Sequence, residues 1–155
     1  MQNLIKFLPI LEKLLLVAFL IGVILHIMHV DTLVVRFSLI GLGVTLFLNA
    51  YRPVELKRDA DRQFDFQDLL ALTIIPKILW IGSAVSALGF AFSLSAITNN
   101  QGYRQMLLVG GLSCAGGTLC LLLLYSRWQA NKQVVFAVLK WAIPLMLLDV
   151  YLLFR

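Results

Sequence analysis

The chain has 155 residues, of which 61% are hydrophobic and only 14% are charged, and its mean hydropathy is +0.91. Soluble domains usually carry about 25% charged residues, so this composition excludes an ordinary soluble domain and indicates an integral membrane protein. The net charge of +5 does not indicate nucleic-acid binding, because the basic residues fall between apolar runs, as topology signals do.

The first apolar segment extends from about residue 8 to residue 28, and the second from about residue 33 to residue 51. About twenty residues in a helix span roughly the 30 Å of a hydrocarbon core. Pro9 falls near the start of the first segment, where a missing amide is tolerated, and Glu12 and Lys13 mark the near interface. Both segments are therefore predicted to be transmembrane helices.

The only sizeable polar connection covers residues 52–75. Its mixed charges, with apolar residues near its end, fit either a solvated loop or a short surface helix leading into the next segment. Three further apolar segments follow, at about residues 76–97, 106–125 and 134–154. We therefore predict an all-α, integral membrane helical bundle of five transmembrane helices in a single membrane domain, residues 1–155.

The basic residues are distributed asymmetrically between the two sides of the predicted bundle. With the N-terminus in the cytoplasm, the inner side holds Lys6, Lys13, Arg52, Lys57, Arg58, Arg62, Lys77, Arg127 and Lys132. The outer side holds Arg36, Arg104 and Arg155. The positive-inside rule then predicts an N-in, C-out orientation with the 52–75 connection in the cytoplasm.

Small residues recur at four-residue spacing in the first four segments, as they do where membrane helices pack closely. The third segment carries Ser83, Ala87, Ala91 and Ser95, the second Gly41, Thr45 and Asn49, and the first Ala18, Gly22 and His26. The fifth segment has few small residues. The pattern predicts a close four-helix core with a peripheral C-terminal helix that could contact a partner.

The two histidines, His26 and His29, lie three residues apart and share one helix face. A zinc or haem site needs more ligands, and only Asp31 is near them in sequence. We therefore favour an interhelical hydrogen bond from His26 and an interfacial position for His29. Metal or haem binding by this pair is the weaker alternative, and no cofactor is expected.

The fifth segment carries Lys140, Pro144 and Asp149. Pro144 follows Lys140 by four residues, so it is predicted to kink the helix, whereas Lys140 can extend to the cytoplasmic side. Asp149 is short and needs a partner, a water-filled cavity or a coupled proton, unless it lies at a frayed interfacial end. The candidate transport or packing residues are therefore His26, Asn49, Lys140 and Asp149.

The stretches Gly22-Val23-Ile24-Leu25-His26-Ile27-Met28-His29 and Asn49-Ala50-Tyr51-Arg52-Pro53 resemble the first hairpin of the GldL family. That family forms the membrane stator of the gliding-motility and type IX secretion motor in Bacteroidota. Gly22, Ile27 and His29 match the family pattern, whereas His26 replaces a lysine. The family's proton-coupling acid lies in the second helix, but residues 33–51 contain no Asp or Glu. The resemblance implies a bacterial inner-membrane complex and no mechanism.

No P-loop, GxSxG or CxxC motif occurs, so catalysis is not expected. We predict a non-enzymatic inner-membrane protein that acts as a subunit or scaffold of a larger complex. Its partners would be the lipid bilayer and other membrane subunits or further copies of itself, with no nucleic acid. The alternative is a small oligomeric transporter or channel with a polar path through His26, Asn49 and Asp149. A lipid-modifying or cofactor-binding membrane enzyme is a weaker third possibility.

Overall fold

The computed structural model describes residues 2–27, 33–53, 65–94 and 102–154, and these are almost entirely helical, with no strand among them. The elements are α1 (Gln2–Ile27), α2 (Leu33–Asn49), α3 (Phe66–Leu69), a π-helical turn (Leu70–Ile74), α4 (Ile75–Ser93), α5 (Gly102–Leu123), α6 (Tyr125–Trp128), a 3-10 turn (Gln129–Asn131) and α7 (Lys132–Phe154). Four helical stretches are long and apolar enough to cross a membrane, and α2 is an apolar helix of 17 residues. The predicted all-α membrane fold is thereby confirmed at this level.

Helix α1 begins at Gln2, earlier than the predicted start at residue 8, so Pro9 lies inside the helix and not in its first turn. A proline within a helix removes one backbone hydrogen bond and crowds the carbonyl four residues before it. The apolar turns on either side continue the helix across that single defect. As a result, Glu12 lies well within α1.

The third membrane helix also begins earlier than predicted, because Asp65 and Asp68 form a capping box around its first turn. The Asp65 carboxylate accepts a hydrogen bond from the Phe66 amide at 2.7 Å, and Asp68 accepts one from the Asp65 amide at 3.2 Å. Together they satisfy amides that a helix start leaves unpaired. Residues 66–75 of the predicted polar connection are therefore helical, while residues 54–64 lie outside the described residues.

A π-helical turn, Leu70–Ile74, joins α3 to α4, and Pro76 is the second residue of α4. In regular α-geometry the ring of Pro76 would press on the carbonyl of Leu72. A π-turn spreads its hydrogen bonds over five residues, which gives the proline ring room. The helix therefore continues through Pro76, although the third segment was predicted to begin at that residue.

Helix α4 is the centre of the bundle and contacts α2, α5 and α7. Its contact with α5 is close because small residues meet there. A Cβ atom on Gly110 would lie 2.8 Å from the Ser86 amide nitrogen and 2.9 Å from the Gly82 carbonyl oxygen. The prediction that Gly and Ser residues bring these helices together is confirmed.

The predicted peripheral position of the C-terminal helix is wrong. In α7 the side chains of Val135, Val138 and Ala142 are fully buried, and Asp149 continues the same stripe against α4 and α5. The close contact does not need small residues on α7, because α5 provides them. A Cβ atom on Gly111 would lie 3.3 Å from two atoms of Asp149.

Helix α1 is the peripheral helix, since only 11% of residues 7–24 are buried. It packs mainly on α2, and the two backbones approach closely where a Cβ atom on Gly22 would lie 2.9 Å from the Val35 amide nitrogen. Its outward face consists of exposed apolar side chains, namely Phe7, Ile10, Leu14, Val17, Ile21 and Ile24. The peripheral position predicted for the fifth helix thus belongs to the first.

The connection between α5 and α7 lies against the start of α3. Arg127 approaches Asp68 at 3.7 Å and Asp65 at 3.9 Å, and Trp128 donates a hydrogen bond to the Leu121 carbonyl at 2.7 Å. These contacts fix the short helix α6 at one end of the bundle. The segment leading into α3 and the α5–α7 connection therefore lie on the same side of the molecule.

Candidate functional site

The carboxylate of Glu12 contacts three side chains on two other helices. One oxygen accepts a hydrogen bond from Trp141 Nε1 at 2.5 Å and lies 3.2 Å from Lys140 Nζ. The other accepts from Asn49 Nδ2 at 3.3 Å. The Glu12 side chain is 12% exposed, so one largely buried carboxylate links α1, α2 and α7.

The positions of its partners follow from the helices that carry them. Asn49 is the last residue of α2 and is buried, whereas Lys140 and Trp141 are neighbours on α7. Successive residues of a helix point about 100° apart, so these two side chains reach Glu12 from different directions. Lys140 Nζ also lies 5.7 Å from the centre of the Trp141 ring, within the range of a cation–π contact.

Two cavities meet at this carboxylate. The apolar cavity has a volume of about 560 Å³ and lies between α1 and α7, over a floor formed by α2 and α4. The polar cavity has a volume of about 520 Å³ and extends toward Arg52 and Gln133. Glu12 and Lys140 line both cavities. Each volume is in the range of a small-molecule site, about 300–1,000 Å³.

Asp149 forms a second polar site within the interface of α4, α5 and α7. Its side chain is 1% exposed, and it accepts a hydrogen bond from the Ser86 hydroxyl at 2.5 Å. Its other oxygen, Oδ1, has no hydrogen-bond partner among the described residues. A buried carboxylate oxygen without a hydrogen-bond donor lowers the stability of the folded protein. Asp149 is therefore held in place by helix packing and by a single donor, the Ser86 hydroxyl.

The structure brings together two of the four candidate residues, Asn49 and Lys140, which both contact Glu12. Asp149 is separate from them and lines neither the apolar nor the polar cavity. His26 lies near the end of α1, but its side chain and the whole of His29 fall outside the described residues. Within the described ranges, no group of three or more His, Cys, Asp or Glu side chains could hold a metal ion.

Lys140 was predicted to extend to the cytoplasmic side. In the structure its ammonium group pairs with the Glu12 carboxylate. The Lys140 side chain is 59% exposed while its ammonium group contacts Glu12. Pro144 lies inside α7, which remains helical from Lys132 to Phe154, and the predicted kink stays a prediction.

Sequence reasoning missed Glu12, Trp141 and Ser86 as site residues. Glu12 was interpreted as an interface marker because the first helix was expected to begin only at residue 8. A signal was available, since Glu12 and Lys140 are opposite charges within two apolar segments, and such charges usually pair inside a membrane protein. Ser86 offered no signal of its own, because a helical serine often bonds its own backbone.

No family model, curated protein or solved structure matches this chain significantly. The fold and the site alone therefore define its class. It is a helical membrane protein in which a buried glutamate joins a peripheral first helix to the bundle.

Proposed function

We propose that this protein is a non-enzymatic subunit or scaffold of a larger membrane assembly, and that its partner contacts the outward face of α1. The observation that carries this proposal is the incomplete packing of α1. Among the described elements this helix packs mainly on α2, and Glu12 gives it one polar attachment to α7. Membrane helices hold their positions through packing and polar contacts with neighbouring helices, and α1 has room for another neighbour.

The chemistry of the outward face of α1 supports a transmembrane partner. Large apolar side chains occupy that face, and Leu14 is 62% exposed. Glu12 points inward to Asn49 and Lys140, so it is engaged within the chain. A partner at this face would therefore be recognised by shape within the hydrocarbon layer and not by charge. A second copy of the chain or a different membrane subunit would both satisfy this chemistry.

The proposed topology has five spans, with the start of α1 in the cytoplasm and the end of α7 on the opposite side. Arg52 follows the end of α2, Lys77 lies in the first turn of α4 and Arg127 lies in α6, and such residues concentrate on the cytoplasmic side. Alkaline phosphatase fused after Arg155 is expected to be active, and the same enzyme fused after Arg127 inactive. The reverse pattern would contradict this orientation.

The resemblance of the first hairpin to the GldL family supports a bacterial inner membrane as the location. It rests on Gly22, Ile27 and His29, and Gly22 is also a point of close approach between α1 and α2. The transporter alternative has less geometric support, because Asn49 and Asp149 belong to separate contacts.

Native mass spectrometry after gentle detergent extraction tests the proposal. The wild-type chain is expected in a stoichiometric complex heavier than the 17.4 kDa monomer. Leu14→Trp, which adds bulk to the outward face of α1, should release the partner. Leu112→Trp is the matched control, because Leu112 is 70% exposed on α5, and it should retain the complex. A monomeric wild type, or equal loss in both variants, would overturn the proposal.

A further inference from the structure

We propose that the groove between α1 and α7 binds one anionic phospholipid, with its headgroup in the polar cavity and one acyl chain in the apolar cavity. Because Glu12 and Lys140 line both cavities, one molecule can occupy them together. This inference goes beyond the proposed function, since the partner would contact the opposite, outward face of α1.

The apolar cavity has the chemistry of an acyl-chain site. Leucine is the commonest residue in its lining, which includes Leu16, Phe19, Leu39, Leu42, Leu145 and Leu148. The charged groups at this cavity are Glu12, Lys13 and Lys140. A hydrocarbon chain would cover the apolar side chains without leaving an unpaired polar group.

The charge around the two cavities favours an anionic headgroup. Three cations line them, Lys13, Arg52 and Lys140, against one carboxylate, Glu12. Glu12 is already engaged by Asn49, Trp141 and Lys140, so its charge is largely compensated. Basic pockets between transmembrane helices on the cytoplasmic side are a recognised form of anionic headgroup site.

The depth of the polar cavity also fits a headgroup. Asn49 is the last residue of α2, and Arg52 and Pro53, just beyond the end of that helix, also line this cavity. Trp80 lines the same cavity, and tryptophan is enriched at the level of lipid headgroups. The polar cavity therefore lies at the membrane interface, and the apolar cavity extends from it along α7 to Leu148.

Fluorescence quenching by brominated lipids tests this site. The purified chain is reconstituted in phosphatidylcholine vesicles that contain either brominated phosphatidylglycerol or brominated phosphatidylcholine at the same mole fraction. Trp80 and Trp141 lie beside the groove and report a bound brominated chain. Brominated phosphatidylglycerol is expected to quench the tryptophan emission more strongly.

The double variant Lys13→Gln/Arg52→Gln removes two cations and leaves the Glu12–Lys140 pair in place. It should lower the preference for phosphatidylglycerol by roughly 25-fold, since each of the two cations near an anionic lipid surface contributes about a factor of five. The control Arg104→Gln/Lys132→Gln removes two exposed cations that line neither cavity, and it should keep the preference.

A third variant, Ala87→Leu, adds bulk at the floor of the apolar cavity and should weaken the quenching although every cation remains. Circular dichroism and size-exclusion profiles establish that each variant is folded, and the wild-type comparison does not depend on any variant. Equal quenching by the two brominated lipids in the wild type would overturn the inference. So would a preference that survives in Lys13→Gln/Arg52→Gln or disappears in the control.

Discussion

Glu12 and Lys140 show how a charged pair can hold two membrane helices that otherwise contact each other little. Glu12 is largely buried, whereas Lys140 is 59% exposed, so solvent and headgroups partly screen the pair. The hydrogen bonds from Trp141 and Asn49 satisfy the remaining capacity of the carboxylate. Removal of the carboxylate would leave three partners without their acceptor.

Exchange of the two charges is the first prediction. Glu12→Lys places two cations side by side and should destabilise the protein by about 2 kcal/mol, and Lys140→Glu should have a similar effect. The double variant Glu12→Lys/Lys140→Glu should recover much of the loss, measured by thermal unfolding in detergent. Lys132→Glu serves as the control for charge alone, because Lys132 is exposed and lines neither cavity. A double variant less stable than either single variant would contradict the pairing.

The hydrogen bond between Ser86 and Asp149 leads to a second prediction. Ser86→Ala removes the hydroxyl donor to a side chain that is 1% exposed, and it should cost about 1–3 kcal/mol. In an Asp149→Ala background the same change should cost much less, because the acceptor is already absent. A double-mutant cycle of unfolding free energies measures this coupling. Simple additivity of the two substitutions would show that the hydrogen bond contributes no coupling energy.

Individual site residues were predictable from the sequence only where a charged or polar residue interrupts an apolar run. Lys140 and Asp149 stood out for that reason, and Asn49 stood out as a polar residue on a face of small residues. Glu12 was assigned to the interface because its depth depends on where α1 begins. The pairing of Glu12 with Trp141 could not be predicted, because it depends on how two helices distant in sequence are placed by α2 and α4.

The elements of the fold were predictable because long apolar runs are separated by polar turns. The boundaries failed where local geometry compensates for an unfavourable residue: the π-turn accommodates Pro76 and the capping box starts α3 at Phe66. The prediction for α7 was wrong because the small residue at its close contact, Gly111, lies on α5. Small residues on one helix can therefore determine how deeply its neighbour is buried.

Two glycines of α5 give a matched pair for a prediction at the scale of the helices. Gly110→Ala places a methyl group against backbone atoms of α4, and such overpacking should cost about 1–3 kcal/mol. Gly116→Ala meets no atom within 4 Å and should be neutral or stabilising by up to about 1 kcal/mol, since alanine favours helix more than glycine does. Unfolding in detergent ranks the variants. Equal stability of the two would mean that α4 and α5 are not in close contact at Gly110.

At the scale of the whole molecule, α4 holds α2, α5 and α7 together, and α1 is added at the edge. The groove that results lies between the first and last helices, so helices at opposite ends of the sequence form its walls. Hydrophobic periodicity cannot predict such a groove, because it does not specify the order of helices around the bundle. The peripheral position of α1 is the basis for the proposal that this chain is part of an assembly.

Photo-crosslinking in native membranes tests that proposal most directly. A photoreactive amino acid replaces Leu14 on α1 or, as the matched position, Leu112 on α5, both of which are exposed apolar residues. We expect one discrete protein adduct of constant mass from position 14, containing the partner that co-purifies, and no such adduct from position 112. Lipid adducts alone at position 14, or the same protein adduct from both positions, would contradict it.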